Sequence, residues 1–389
     1  MPKRKSILIL TSKTGGGHLS LAEALRDLLE RGVSTAESVY EQYAADAEAP
    51  AITIVDPQPG FFHLHYRFVS RKAPWLWAAE FHFFDTPRRA MLAHKVFTRL
   101  VRRQLTDLLD KVQPDLIITT YPFFSYEVKR VLERRSPAVP LVMLFSDANS
   151  VHAAWLTEWQ ADATFATTRE TYEQALAAGF DPHRLHLVGW PVRAQFFQEY
   201  LSGKDAQKEQ LTHVGLAHDR FTIFLQGGGE GAARIDGAID NMLVKGALTH
   251  ELQIILAAGT NSSLLERYKN MPNLVALPYT KAIAPFMAAA DVIMGKAGPN
   301  ALFESVMLNK PFIATSFIPG QEQENLLFIQ RHGLGWVALR PQEQLSLLSA
   351  LVHNANEMKT MSNTIEAYRC WNAAANMRVI ELVRSLLDP

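Results

Sequence analysis

Three glycines and a histidine, Thr14-Gly15-Gly16-Gly17-His18, stand between a short apolar run and a helix-forming stretch. Glycines let backbone amides approach a ligand without Cβ interference, and the N-terminus of the helix that follows favours an anion. The same helix end disfavours imidazolium, so His18 is held neutral, the state a general base requires. The alternative is a histidine that only caps or packs; three glycines holding it at a strand's carboxyl end favour the base. Lys13-Thr14 precede the glycines instead of closing them, so this is no Walker loop, and the G-x-G-x-x-G spacing of a dinucleotide fingerprint is missing.

Three further motifs could carry chemistry. Gly227-Gly228-Gly229-Glu230-Gly231 follows the apolar run Phe221-Gln226, and so many glycines exceed what a simple strand-to-helix turn needs. Close approach of backbone amides to a phosphate is the expected use. Gly295-Lys296-Ala297-Gly298-Pro299-Asn300 opens another helix after Asp291-Met294, and Glu304 lies about one turn in, on the side of the same ligand. A carboxylate there can accept both hydroxyls of a ribose; a solvated helix charge is the plainer alternative. Ile318 to Asn325 is a polar loop whose Gln321, Glu322 and Asn325 are side chains suited to sugar hydroxyls, or to an ordinary capped helix start. No Asp-x-Asp triplet occurs, so a Mg²⁺- or Mn²⁺-dependent sugar-nucleotide site lacks its usual ligands. Metal is therefore expected to be absent, with helix N-termini and glycine-loop amides stabilising leaving-group charge.

These motifs need strands and helices to hold them. Ser6-Leu10, Ile52-Val55, Leu116-Thr119 and Leu141-Phe145 are short apolar runs of the kind buried on both faces of a parallel sheet. The pattern restarts with Phe221-Gln226, Gln253-Ala257, Leu274-Leu277, Asp291-Met294 and Phe312-Thr315. Leu19-Glu30 and Val131-Arg135 between the runs of the first set, and Glu170-Ala178 after them, read as helical. Each half opens with a strand followed by a glycine cluster. The expected fold class is α/β, two doubly wound Rossmann-like domains facing across a cleft, with ligands at the carboxyl ends of both sheets. The boundaries read as 1–197, with 198–370 as the second domain and 371–389 as a C-terminal helix packing back on the first. The polar stretch Gln198 to Arg220, with a helix inside it, marks the junction.

Length and composition bound the rest. A chain of 389 residues exceeds one ordinary core, and a 48% hydrophobic, 20% charged balance is that of an ordinary globular protein. Lys plus Arg and Asp plus Glu both total 39, so the basic surplus of a nucleic-acid binder is missing and no nucleic-acid partner is expected. The single cysteine, Cys370, excludes a disulfide scaffold and fits a reducing compartment. Ile7 to Leu10 is too short for a signal-peptide core and nothing approaches a membrane span, so the expected location is cytoplasmic, with any membrane contact peripheral.

Residues 61 to 111 break the strand–helix rhythm. They combine Phe61, Phe62, Phe68, Trp75, Trp77, Phe81, Phe83, Phe84 and Phe97 with a surplus of Lys and Arg that includes Arg88, Arg89, Arg102 and Arg103. Aromatics with basic residues suit an anionic membrane interface. Long amphipathic helices whose aromatics form core fit the pattern equally well. His63, His65, His82 and His94 also fall here, without the spacing of a zinc site.

Taken in order, the glycine loop with His18, Gly227 to Gly231, Gly295 to Ser305 and Gly320 to Asn325 resemble the monogalactosyldiacylglycerol synthase family. That family includes bacterial processive diacylglycerol glucosyltransferases and is related to the peptidoglycan N-acetylglucosaminyltransferase. The likeness extends to Ala73-Pro74-Trp75-Leu76-Trp77, Pro114 to Ile118, Ser146-Asp147 with His152 and Trp155, and Val188 to Arg193. It implies the glycosyltransferase B fold, an inverting mechanism and a UDP-sugar donor held mainly by the second domain. Carried over by position, His18 is the general base, Asp147 a second polar group near the acceptor, and Glu304 the ribose ligand. Gly17, Gly228, Gly229, Glu230, Gly298, Pro299 and Asn300 face the donor, with Gln321, Glu322 and Asn325 near its sugar. The lipid acceptor of the family tips residues 61–111 towards a membrane-facing role through Trp75, Trp77, Arg88 and Arg89. Asn300-Ala301 replaces the family's Gly-Thr and Glu324 its glycine, which leaves the hexose open.

The expected activity is transfer of galactose or glucose from UDP-sugar to diacylglycerol or a related lipid at an anionic membrane surface, with no cofactor and no metal. The rivals are a UDP-N-acetylglucosamine 2-epimerase, a transferase with another lipid acceptor, and a non-catalytic sugar-nucleotide or lipid-binding module.

Overall fold

A computed structural model describes residues 4–14, 16–31, 49–133, 138–197, 201, 203–226, 237, 239–244, 248 and 250–388. The chain divides into two compact units: Met1–Ala194 with Ile318–Glu324 and Trp371–Pro389, and Gln195–Phe317 with Asn325–Cys370.

The first unit is built on six strands, β1 (Ser6–Leu10), β2 (Ala51–Val55), β3 (Leu116–Thr119), β4 (Leu141–Leu144), β5 (Ala163–Ala166) and β6 (Leu185–Leu187). Their order is β2-β1-β3-β4-β5-β6 and every pairing is parallel. β1 is paired on both edges and Ile7–Leu10 are fully buried on both faces of the sheet, which is why the run is continuously apolar instead of alternating. Helices α1 (Gly17–Arg31), α5 (Ser125–Leu132) and α6 (Arg169–Ala177) follow β1, β3 and β5. Three successive helices separate β2 from β3: α2 (Gly60–Lys72), α3 (Pro74–Phe84) and α4 (Pro87–Val112), with Pro74 and Pro87 opening the second and third. On α4 the inward stripe Ala90, His94, Phe97, Val101, Leu105 and Leu109 is buried at helical spacing, and Leu105 and Leu109 join the core under β3 and β4.

The second unit has β7 (Phe221–Gln226), β8 (Leu252–Gly259), β9 (Leu274–Pro278), β10 (Val292–Lys296), β11 (Phe312–Ser316) and β12 (Gly335–Val337). They form a parallel sheet in the order β12-β11-β10-β7-β8-β9. Around it lie α7 (Lys204–His213), α8 (Ser262–Tyr268), α9 (Ala284–Ala288), α10 (Pro299–Met307), α11 (Gln323–Arg331), α12 (Pro341–His353) and α13 (Ala355–Leu387). Ile223, Leu225, Ile254, Leu256, Met294 and Ile313 build its core.

Each sheet has one topological switch point, between β1 and β3 in the first unit and between β7 and β10 in the second. At the second, a Cβ added to Gly295 would meet the Gln226 carbonyl at 2.2 Å, so the close pairing of β10 with β7 requires glycine.

The last turns of α13 belong to the first unit. Asn372, fully buried, accepts a hydrogen bond from Trp190 N (2.7 Å) and donates one to its carbonyl (3.0 Å), while Asn376 donates to Val188 O (2.9 Å). A Cβ on Gly189 would strike the Asn372 side chain at 2.8 Å, which explains the glycine between Val188 and Trp190.

Candidate active site

In the first unit the polar residues that follow the strands gather along the carboxyl edge of the sheet. His18 lies in the first turn of α1, and its Nδ1 stands 2.8 Å from the Thr120 carbonyl, just past β3. A carbonyl only accepts, so Nδ1 carries the proton and Nε2 keeps its lone pair. This bond bridges the β1–β3 switch point. The ring retains some contact with water, yet enough protein surrounds it that desolvation lowers its pKa from 6.5 to about 4, against the opposing Thr120 bond and the charge of Asp56. The edge of Tyr121 meets the His18 ring at 5.0 Å, and burial pushes the Tyr121 hydroxyl up to about 12.

Asp56 and Gln58, which the sequence reading passed over, complete this arrangement. The Asp56 side chain is buried past the end of β2 and accepts from Lys13 N (2.7 Å) and Gln58 N (2.9 Å), with His63 Nε2 at 3.3 Å. It thus fixes the loop that enters the glycines and places a negative charge where it stabilises a protonated His18. The only sequence cue is a carboxylate as the first residue beyond β2.

Asp147 lies beyond β4. Burial raises its pKa from 3.8 to about 7, with the Asp85 charge adding to the rise and the His152 amide, donating at 3.2 Å, opposing it. His152 accepts from Ala154 N at Nδ1 (3.1 Å) and donates from Nε2 to Phe81 O (3.3 Å), so the ring is neutral with both nitrogens engaged.

In the second unit Gly298 caps α10 in extended backbone, Pro299 occupies its first position and Asn300 its first turn. Amides in a helix's first turn lack intrahelical acceptors, and they lie here beside the β7–β10 switch point. Glu304 sits one turn in, 7% exposed, so it is no solvated surface charge. Asn325 Nδ2 donates to Ala297 O (2.9 Å): its amide ties down the loop before α10. Gly228, Gly229 and Glu230 lie outside the described residues. Gly17 opens α1 beside His18.

Gln321 and Glu322 depart from their expected place. The segment Ile318–Glu324 belongs to the first unit, not to the second. Gly320, at φ +82°, rests on Phe81 and Ala78 of α3, and Glu322 Oε2 accepts from Ile318 N (2.9 Å). Gln321 Oε1 is buried without a hydrogen-bond partner. Glu324 accepts from Asn149 Nδ2 (3.2 Å), which gives this non-glycine residue a role in seating the turn.

Among the aromatic segment's residues, Trp75 is 72% exposed, and Phe61, Leu64, Phe68 and Phe83 are exposed beside it in sequence. Trp77 is half-buried: its ring meets Tyr66 edge to face at 5.0 Å and its Nε1 is buried without a hydrogen-bond partner. Arg88 is exposed; Arg89 stacks over Phe83 at 4.5 Å and donates to its carbonyl (3.3 Å). Among the described residues, no helix is long and apolar enough to cross a membrane, and no three His, Cys, Asp or Glu side chains group as metal ligands.

Two parallel sheets with helix N-termini and polar residues at their switch points define a glycosyltransferase B fold, and solved structures agree. The chain matches a UDP complex of MnaA from S. aureus (TM-score 0.62, 12% identity, 99% of this chain and 97% of that one). It also matches a calicheamicin glycosyltransferase (TM-score 0.62, 14% identity, 99% and 98%). Residues 18–192 match the monogalactosyldiacylglycerol (MGDG) synthase family model, and residues 222–376 that of the glycosyltransferase family 28 C-terminal domain. The chain thus carries these two domains and is similar to monogalactosyldiacylglycerol synthases and processive diacylglycerol glucosyltransferases. A probable monogalactosyldiacylglycerol synthase 2 of Oryza sativa subsp. indica is 28% identical over 87% of this chain and 72% of its own length. A processive diacylglycerol beta-glucosyltransferase of Staphylococcus aureus is 25% identical over 94% of this chain and 89% of its own.

Proposed function

We propose that this protein moves a hexose, galactose or glucose, from a UDP-sugar to the free hydroxyl of diacylglycerol with inversion at the anomeric carbon. The observation that carries the reading is the tautomer of His18: a neutral ring whose Nδ1–H is committed to Thr120 and whose Nε2 lone pair is left for a substrate proton. As the acceptor oxygen bonds to the anomeric carbon, its proton passes to Nε2 and the bond to UDP breaks. Asp56 favours the imidazolium that forms, and Asp147 serves as the second polar group on the acceptor side. The amides that open α10 receive the charge growing on the departing diphosphate, and Glu304 holds the ribose. The names of the relatives support diacylglycerol as acceptor.

No metal and no cofactor take part in this reading. Catalysis occurs at an anionic membrane surface, met by the exposed apolar and basic side chains of α2, α3 and α4. The test is purified protein with UDP-galactose or UDP-glucose and diacylglycerol in mixed micelles, with excess EDTA. Glycosylated lipid at an undiminished rate is expected. UDP release with no lipid product would replace this reading with a hydrolytic or epimerising one, and rescue by Mg²⁺ would reinstate a metal.

A further inference from the structure

His94 and Glu127 are both fully buried, and the proposed chemistry uses neither. His94 sits on the inward stripe of α4 and Glu127 on α5, with Phe123 and Tyr126 against the imidazole at 5.1 and 5.5 Å. His94 Nδ1 meets Glu127 Oε1 at 3.1 Å, and Nε2 meets the Ala154 carbonyl at 3.0 Å. Because that carbonyl only accepts, Nε2 carries a proton whatever is shared between Nδ1 and the carboxylate. Well-packed apolar residues of similar volume often replace a buried ion pair without loss of stability. A ring gives something they cannot: two hydrogen bonds on opposite sides, one steering the imidazole and one aimed at the backbone.

The backbone it grips leads to the acceptor side. The Ala154 carbonyl also accepts from Thr157 Oγ1 (2.9 Å). One residue earlier, Ala153 N donates to Asp85 Oδ1 (2.8 Å) at the corner between α3 and α4. One earlier still, His152 N donates to Asp147 Oδ2 (3.2 Å), and the His152 ring bonds the Phe81 carbonyl of α3. Residues 152–154 therefore hold Asp147 and the α3–α4 corner, and His94 holds residues 152–154.

We propose that His94 and Glu127 are positioning residues for the lipid acceptor: the carboxylate orients the imidazole, the imidazole fixes the Ala154 carbonyl, and the turn so fixed presents Asp147 and the α3–α4 corner to the acceptor. The inference rests on the reading that the first unit takes diacylglycerol.

The experiment measures steady-state transfer to diacylglycerol in mixed micelles, with UDP affinity by calorimetry as the control. His94→Leu is expected to raise the KM for diacylglycerol roughly tenfold to a hundredfold, the scale of a displaced positioning group, while UDP affinity stays at the wild-type value. Glu127→Leu should do the same. Glu127→Gln should restore the wild-type KM, because the amide can donate to Nδ1 and leave Nε2–H on Ala154. A folded His94→Leu protein with wild-type KM for the lipid overturns the proposal, as does Glu127→Gln failing to rescue. Should His94→Leu not fold, Asp85→Ala at the partly exposed corner carries the test: it must raise the same KM, and no rise overturns the idea. Wild-type protein that transfers nothing to diacylglycerol sinks the functional reading, and this inference with it. Active wild type with unresponsive variants sinks the inference alone.

Discussion

His18 and Asp56 are held by different means. Thr120 fixes which nitrogen of His18 is bare, while Asp56, anchored by two backbone amides, acts on the ring only through its charge. His18→Ala is expected to lower turnover about 10²–10⁴-fold with UDP affinity unchanged, read by kcat and by calorimetry. The acid limb of kcat/KM should lie well below pH 6.5, because the folded ring titrates at about 4, and Asp56→Asn should move it lower still. Stability follows the same proton. Between pH 6.5 and 4 the unfolded chain protonates His18 and the folded chain does not, so its contribution, full above 6.5, is lost as pH falls through that window. Thermal unfolding against pH should show a shallower slope there in His18→Gln. His18 stood out in the sequence because three glycines precede it. A lone aspartate after β2 has no such frame, so Asp56 did not.

The strands stood out in the sequence wherever burial on two faces demanded nearly continuous runs of large apolar residues, as in β1, β3 and β7. The short β5 (Ala-Thr-Phe-Ala), β6 and β12 passed unread: a few residues with Ala, Thr or Gly among them carry too little periodicity to separate from loop. The inward side of α3 was unreadable for a related reason. The eleven residues of α3 are apolar nearly all round, so no polar stripe marks which side faces inward. The α4 helix is different: the buried stripe leaves Leu92, Val96 and Leu100 exposed among Arg88, Lys95, Arg99, Arg102 and Arg103. Each basic residue near an anionic leaflet contributes about 1 kcal/mol, and the attraction is screened within about 8–10 Å at physiological salt. Co-sedimentation with anionic liposomes at low salt should fall in the Arg88/Arg99/Arg102/Arg103→Ser protein. Trp75→Ala should instead deplete the salt-resistant fraction, whereas Trp77→Ala should lower thermal stability. Equal sedimentation of the arginine variant and wild type would mean that the lipid meets another surface.

At the scale of the whole chain, sequence order and spatial membership part company. Gln321 and Glu322 follow β11 of the second unit in sequence yet belong to the first, and no local pattern could have announced it. The last residues of α13 also belong to the first unit, as the sequence led one to expect of 371–389. A chain ending at Cys370 would leave Trp190 and the Val188 carbonyl without Asn372 and Asn376, each lost bond costing about 1–3 kcal/mol when a buried group is orphaned. Its thermal unfolding is expected to begin several degrees below that of the full chain, and coincident curves would mean that those asparagines hold nothing. For anyone recombining such proteins, the unit of exchange is then not a segment. A second unit taken from a relative would have to be joined at Ala194/Gln195, Phe317/Ile318, Glu324/Asn325 and Cys370/Trp371 together. A single crossover would hand the first unit a foreign turn and a foreign clasp, so inheritance of donor specificity by simple fusion is disfavoured by the threading of the chain itself.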